Sequence, residues 1–182
     1  MTYQDFENNL KEWATARNIH TPASSQIQIL SITEEWGEAC GAYRKGKTDE
    51  LPLEIGDVFV TLQVLALQNG CKINYSAQNS AAKRMLPQLQ DYDNAVMKQA
   101  CHVTHAIGIM QPMNFGFYRA HKNGTPKYLQ SQIREIVGNL IIFAYLAGIE
   151  PLQAMQAAWE KISQRKGKTV NGTFVKAQDI NQ

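Results

Sequence analysis

Glu54-Ile-Gly-Asp-Val-Phe-Val-Thr-Leu-Gln-Val-Leu-Ala-Leu67 is the stretch most informative about the fold. As a helix it is apolar around most of its circumference. A helix that is apolar on all sides is buried in the core of its protein. Glu54 and Asp57 are three residues apart and therefore share one helical face. Carboxylates at the start of a buried helix are costly without a balancing cation. The stretch predicts a central core helix with an acidic site at its beginning.

A second acidic pair, Glu35-Trp-Gly-Glu38, precedes the first by fifteen residues. Two antiparallel helices joined by a short turn would bring both pairs face to face. Any one such pair is typical of a solvated helix face or of an acidic first turn. Two pairs leading into an apolar helix favour a metal site, and oxygen ligands of this kind suit Mg²⁺, which leaves coordination positions to water and phosphate oxygens.

Size and composition indicate one globular domain. The chain has 182 residues, of which 44% are hydrophobic and 19% charged. A net charge of +2 and a pI near 8.4 are too mild to indicate nucleic acid as a partner. Cys40, Cys71 and Cys101 are odd in number and lack metal-ligand spacing, which predicts reduced thiols. With no signal segment and no apolar run of about 20 residues, we expect a cytoplasmic protein without a membrane partner.

Helical periodicity dominates the chain and predicts an all-α helical bundle. Proline and glycine mark several of the helix boundaries, as with the Thr21-Pro22 N-cap and the stop at Gly70. The expected helices span about 3–17, 21–44, 52–69, 75–90, 92–111, 127–147 and 151–165, followed by an irregular tail over 166–182.

A faint internal repeat divides the chain into a metal-binding half, about 22–90, and a structural half, about 92–165. Ile32-Thr-Glu-Glu-Trp-Gly-Glu-Ala39 aligns with Val103-Thr-His-Ala-Ile-Gly-Ile-Met110, and Gly56 aligns with Gly138. The extra residues of the second half fall in the turn-rich segment 115–126. Chance similarity between amphipathic hairpins is the alternative interpretation. A duplicated hairpin would complete a four-helix bundle.

The two acidic motifs, the basic turn between them and Leu53-Glu-Ile-Gly-Asp-Val58 together resemble the ExxE…ExxD signature of MazG-like all-α nucleoside triphosphate pyrophosphohydrolases. The resemblance covers about residues 6–84 and continues more weakly to the C-terminus. The tail 165–176 is similar to the ending of some small members. The fold class that follows is an all-α bundle of two tandem MazG-like repeats, the second one degenerate.

The resemblance implies that Glu35, Glu38, Glu54 and Asp57 hold Mg²⁺, with Mn²⁺ as a substitute. The metal would bind the triphosphate of a nucleotide, and hydrolysis would release a nucleoside monophosphate and pyrophosphate. Glu38 or Glu35 is the expected catalytic proton acceptor. In the second half the acids are replaced by His105, Ala106, Ile109 and Asn139, so that half cannot hold the same metal.

Cationic side chains are expected to complete the substrate site, although each one alone is more typical of a solvated surface. Trp36 is a candidate for stacking on a base, but its place in an apolar stripe favours the core. The cationic candidates are Lys83, Arg84, Lys161, Arg165, Lys168 and Lys176.

Three other interpretations stay open at the level of sequence. One is a dUTP- or dCTP-directed helical diphosphatase, and another is a catalytically silent nucleotide-binding helical module. The third, which is weak, is a transition-metal site at His102 and His105. A di-iron bundle is set aside, because its Glu-x-x-His motifs do not occur in the chain. Association into a homodimer through exposed apolar faces is compatible with the sequence.

Overall fold

The computed structural model describes residues 1–19, 25–112, 125–170 and 173–176, and within them the chain is an all-α helical bundle with one short β-hairpin. The all-α prediction is therefore confirmed. The predicted N-cap at Thr21-Pro22 and the segment 115–124 lie outside the described residues. The helices are α1 (Tyr3–Ala16), α2 (Ser25–Arg44), α3 (Leu51–Gln68), α4 (Tyr75–Leu89), α5 (Ala95–Pro112), α6 (Thr125–Leu146) and α7 (Pro151–Ser163), and the strands are β1 (Gly167–Val170) and β2 (Thr173–Lys176).

Helix α3 is the centre of the bundle, as its apolar sequence predicts. It packs against α1, α2, α6 and α7, and almost every residue from Ile55 to Ala66 is buried. By length and composition α3 could cross a membrane, but 78% of it is buried inside the protein, as in the core helix of a soluble protein. The bundle thus forms around the helix that carries the second acidic pair.

Local signals set the boundaries of the helices around α3. At the start of α1 the Thr2 hydroxyl accepts the Asp5 backbone N–H at 3.1 Å, and the Asp5 carboxylate accepts that of Thr2 at 2.7 Å. This reciprocal cap satisfies two backbone donors that have no partner within the helix. Pro52 lies in the first turn of α3, and Gly70 adopts a φ of +64° just beyond its end. A left-handed φ of this kind favours glycine and stops the helix.

Two helical hairpins lie in the positions that the predicted repeat requires, α2 with α3 and α5 with α6. Gly56 of α3 and Gly138 of α6, which the sequence aligns, both lie against a neighbouring helix. Where Asp57 carries a charge, the aligned Asn139 instead accepts a hydrogen bond from the buried Gln99 amide at 2.7 Å. These features agree with a duplication, which stays a prediction.

The predicted irregular tail is wrong for the part of it that is described. Strands β1 and β2 pair antiparallel, with Gly167 opposite Lys176 and Val170 opposite Thr173. The sequence signal is the dipeptide Asn171-Gly172 between two short β-prone runs, which is typical of a tight hairpin.

Replacing Gly56 with alanine should destabilise the protein, because α7 crosses α3 at this residue. A Cβ at position 56 would overlap the backbone carbonyl of Ala154 and lie 2.7 Å from the Ala158 Cβ. We expect Gly56→Ala to lower the free energy of unfolding by about 1 to 3 kcal/mol, measured by urea denaturation. Gly108→Ala is the matched control, since a Cβ there meets nothing within 4 Å. The control should gain up to about 1 kcal/mol from helix propensity, and equal losses in both variants would show that the contact with α7 is not the cause.

Candidate metal and phosphate site

The structure brings three of the four predicted acids into one cluster. One carboxylate oxygen from each of Glu35, Glu38 and Glu54 lies within 4.8 Å of the other two. Glu35 and Glu38 come from one face of α2, and Glu54 comes from the first turn of α3. The antiparallel packing predicted from the two motifs is what places them together.

The fourth acid, Asp57, lies next to this group and already has a cationic partner. Its Oδ2 accepts a hydrogen bond from Nζ of Lys161 at 2.6 Å. The Asp57 side chain is 7% exposed and that of Lys161 is 38% exposed. We refer to Glu35, Glu38, Glu54 and Asp57 as the carboxylate cluster. Lys161, at the end of α7, supplies its single cationic contact among the described residues.

Burial and repulsion from neighbouring carboxylates disfavour the ionised forms of two members of the cluster, Glu35 and Glu54. Burial, followed by the charges of Asp57 and Glu38, raises the pKa of Glu35 to about 7. Burial also raises the pKa of Glu54, with a further contribution from Glu38, and Lys161 opposes both shifts. Oε2 of Glu54 is buried without a hydrogen-bond partner among the described residues. A cation placed among these oxygens would relieve both the repulsion and the missing contact.

The donor set fits a hard divalent cation. Mg²⁺ binds oxygen at about 2.1 Å, so two oxygens on the same ion lie at most about 4.2 Å apart. The selected oxygens of Glu35, Glu38 and Glu54 lie no more than 4.8 Å apart, so small side-chain rotations can bring them to this spacing. Neither cysteine nor histidine belongs to the group, which disfavours the softer transition metals.

One side of the cluster borders a space of about 220 Å³ between α1, α2, α3 and α7, which we call the inner cavity. It opens directly onto Glu35 and Asp57. Its size and its mixture of apolar and polar walls suit a small organic group. The apolar wall consists of Trp13, Ile19, Ile27, Val60, Val64 and Ile162. The other polar lining residues are Gln28, Ser31, Thr61 and Arg165.

The opposite side of the cluster borders a more open depression of about 480 Å³, which we call the outer groove. Its lining has four acids, Glu34, Glu38, Glu50 and Glu54. Lys45 and Lys47 lie at the turn after α2, where Lys47 pairs with Glu50 at 2.7 Å. Gly37 and Gly41 line it without filling it, since a Cβ at either residue would meet nothing within 4 Å. The carboxylate cluster therefore separates a partly apolar cavity from a charged groove.

Of the other residues predicted to bind substrate, Arg165 lies at the site and Lys83 and Arg84 lie away from it. Arg165 lines the inner cavity together with Glu35 and Asp57. Lys83 instead lies over the ring of Tyr145, with Nζ 5.4 Å from the ring centroid, on the face between α4 and α6. Arg84 is exposed on α4 and borders neither the inner cavity nor the outer groove. Neither Lys83 nor Arg84 approaches the cluster, which corrects that part of the prediction.

Trp36 is a core residue, as its place in the apolar stripe favours, and it is not available to stack on a base. It is 4% exposed, its Nε1 donates to the Thr104 hydroxyl at 2.9 Å, and its ring meets Phe143 edge-on at 5.1 Å. No face of the indole is left for a ligand. The side chains of Lys168 and Lys176 lie outside the described residues.

Sequence reasoning missed the residues that shape the inner cavity. Gln28, Ser31 and Glu35 are spaced three and four apart and therefore share one face of α2. That spacing places polar groups on the same line as a predicted metal ligand and could have identified them. Trp13 gave no comparable signal, because it lies on another helix and reaches the cavity only through the packing of α1 against α3 and α7.

Comparison with known proteins assigns no family to the chain. No protein-family model matches it, and no solved structure matches it. Over 66 residues, 36% of the chain, it is 38% identical to an "uncharacterized 18.2 kDa protein in rep-hol intergenic region" of Haemophilus phage HP1 (strain HP1c1). The matched stretch spans 40% of that phage protein's length.

The raised pKa of Glu35 predicts that the metal-free protein loses stability as the pH rises. Between the ordinary value of 4.5 and about 7, the folded state keeps a proton that the unfolded state has released. The contribution of Glu35 to the free energy of unfolding should therefore be fully present below pH 4.5 and be lost as the pH rises to about 7. Glu35→Gln should flatten this decline in urea titrations at a series of pH values. Glu12→Gln, on α1, should keep the wild-type slope, and an unchanged slope in Glu35→Gln would refute the assignment.

Loss of the Lys161 ammonium should leave the buried Asp57 without its partner. We expect Lys161→Met to lower the free energy of unfolding without metal by about 1 to 3 kcal/mol, since an unpaired buried charge is unfavourable. Lys47→Met is the matched control, because the Lys47–Glu50 pair, at 2.7 Å, is about half exposed at both ends. It should cost under about 1 kcal/mol. Chemical denaturation compares the two, and similar losses would mean that the Asp57 pair behaves as a surface contact.

Proposed function

We propose that the protein is an Mg²⁺-dependent nucleoside triphosphate pyrophosphohydrolase, acting in the cytoplasm and releasing a nucleoside monophosphate and pyrophosphate. The observation that carries the proposal is the carboxylate cluster, in which acids from two helices converge and one buried oxygen has no partner among the described residues. The two spaces that meet at the cluster support it, because a nucleotide also has two chemically different ends. The resemblance of the motifs to MazG-like enzymes points the same way.

The shapes and charges of the two spaces suggest how a nucleotide would lie. The base and sugar fit the inner cavity, where Trp13 and aliphatic side chains supply apolar contacts. The β- and γ-phosphates extend over the cluster into the outer groove, where bound Mg²⁺ would offset the acids of the lining and Lys45 adds a cation. In this orientation the bond between the α- and β-phosphates lies over the carboxylates. Hydrolysis there leaves the monophosphate in the cavity and the pyrophosphate in the groove.

In the proposed reaction, different residues of the site have different roles. Bound Mg²⁺ would neutralise phosphate oxygens and acidify a water molecule. Glu35 is placed to accept the proton of the attacking water, because it belongs to the carboxylate cluster and also borders the inner cavity. Lys161 holds Asp57 in place, and Arg165 offers a guanidinium to the α-phosphate from the cavity wall.

One observation favours the narrower alternative of a pyrimidine-directed diphosphatase. Nε2 of Gln28 donates to the backbone carbonyl of Thr61 at 3.0 Å, which fixes the orientation of the amide. Its Oε1 is then the atom that can accept a hydrogen bond from a ligand in the cavity. Uracil N3–H and the cytosine amino group are suitable donors, and a cavity of about 220 Å³ favours a single ring. In this alternative, Gln28 is therefore the residue that recognises the base.

The test is pyrophosphate release from a panel of ribo- and deoxynucleoside triphosphates with Mg²⁺. We expect turnover by the wild-type protein, with uracil or cytosine nucleotides preferred if the assignment of Gln28 holds. Glu38→Gln and Asp57→Asn should each lower turnover by about a hundredfold or more, because each removes a ligand charge from the cluster. Omitting the metal should abolish the reaction.

Glu160→Gln is the matched control, since Glu160 is an exposed acid of α7 whose carboxylate accepts a hydrogen bond from Gln156 at 2.9 Å. It should keep wild-type turnover. Release that survives in both cluster variants would place the chemistry elsewhere. If no nucleotide yields pyrophosphate while calorimetry detects Mg²⁺ binding, the catalytically silent module is favoured and the proposed enzymatic activity is refuted.

A further inference from the structure

A second large cavity lies on the other side of α3, against α1. Its volume is about 750 Å³. Its walls come from α1, the C-terminal half of α3, the α3–α4 connection, the start of α4 and one residue of α6. We call it the α1–α4 cavity. No member of the carboxylate cluster borders it, so it is separate from the proposed active site.

The rim of the α1–α4 cavity is positively charged. Lys11, Lys72 and Arg134 reach it from three different elements, and Glu7 is the one acid among its described lining residues. None of the three cations forms a salt bridge within the part of the chain that the structure describes. The Glu7 carboxylate accepts the backbone N–H of Tyr75 at the start of α4. A rim with three cations and one acid attracts anions.

The wall of the α1–α4 cavity contains a buried polar group that lacks a partner. Gln63 lines the cavity and is only 5% exposed, and its Oε1 has no hydrogen-bond partner among the described residues. Buried side-chain oxygens are nearly always hydrogen-bonded, so an unpartnered one in the core helix indicates a missing donor. A ligand in the cavity that carries an N–H or O–H group would supply that donor.

We propose that the α1–α4 cavity binds a small phosphorylated metabolite whose organic part carries an N–H or O–H donor. The phosphate lies at the rim, where the fork of Arg134 and the ammonium groups of Lys11 and Lys72 can share its two negative charges. The organic part reaches inward and donates to Oε1 of Gln63. The cavity is much larger than a bare phosphate, which leaves room for that part.

The experiment is an NMR titration of the metal-free protein that follows the side-chain amide of Gln63. The probes are ribose 5-phosphate, inorganic phosphate, citrate and ribose. We expect ribose 5-phosphate to shift the Gln63 amide and to bind more tightly than the other three. The double variant Lys72→Gln with Arg134→Gln should weaken its binding by about tenfold or more, because two charge-assisted contacts are lost.

Matched variants show whether the binding is specific to the α1–α4 cavity. Arg84→Gln with Lys98→Gln removes the same charge from exposed residues outside the cavity and should leave the affinity unchanged, as should Glu38→Gln in the cluster. Gln63→Leu should abolish the preference for ribose 5-phosphate over inorganic phosphate while the fold is retained by circular dichroism.

The proposal is overturned by any of four results. These are no shift of the Gln63 amide with ribose 5-phosphate, equal weakening in both double variants, loss of binding in Glu38→Gln, or tighter binding of citrate. The titration does not depend on turnover, so the proposed enzymatic activity and the proposed ligand site in the α1–α4 cavity are tested separately.

Discussion

Asp57 is buried on α3, the most apolar of the described helices, and this burial constrains how the other helices pack around it. Helix α3 must be covered on all sides, and a charged carboxylate within it needs a cation close by. Lys161 meets that need from α7 at 2.6 Å. At the adjacent residue, Gly56 lets α7 approach closely at Ala154. Packing and electrostatics therefore fix the same helix crossing.

This crossing also explains why the carboxylate cluster lies between two different spaces. Helix α7 closes one side of the cluster and, with α1, forms the inner cavity. The other side stays open, because the glycines of α2 leave the outer groove unfilled. Four acids on two helices would otherwise be a repulsive surface patch. In this setting they form a cluster that borders both spaces, and the proposed nucleotide site rests on that arrangement.

In the predicted duplication, Asn139 is the uncharged counterpart of Asp57. At the position aligned with Asp57, Asn139 accepts a hydrogen bond from Gln99. A neutral amide pair is easier to bury than an ion pair, and it needs neither a lysine nor a metal ion to balance a charge. The second half of the chain, which lacks these four acids, is thus suited to support the packing of α3, which it contacts with helix α6.

The sequence by itself determined the all-α class, the approximate helix boundaries and the convergence of the two acidic pairs, since each follows from spacing along a single helix or hairpin. The pairing of Lys161 with the cluster, the position of Lys83 away from it and the presence of the inner cavity became visible only in the folded structure. The reason is physical. Lys161 is 104 residues from Asp57, and contacts at that distance depend on how helices cross, which periodicity does not encode.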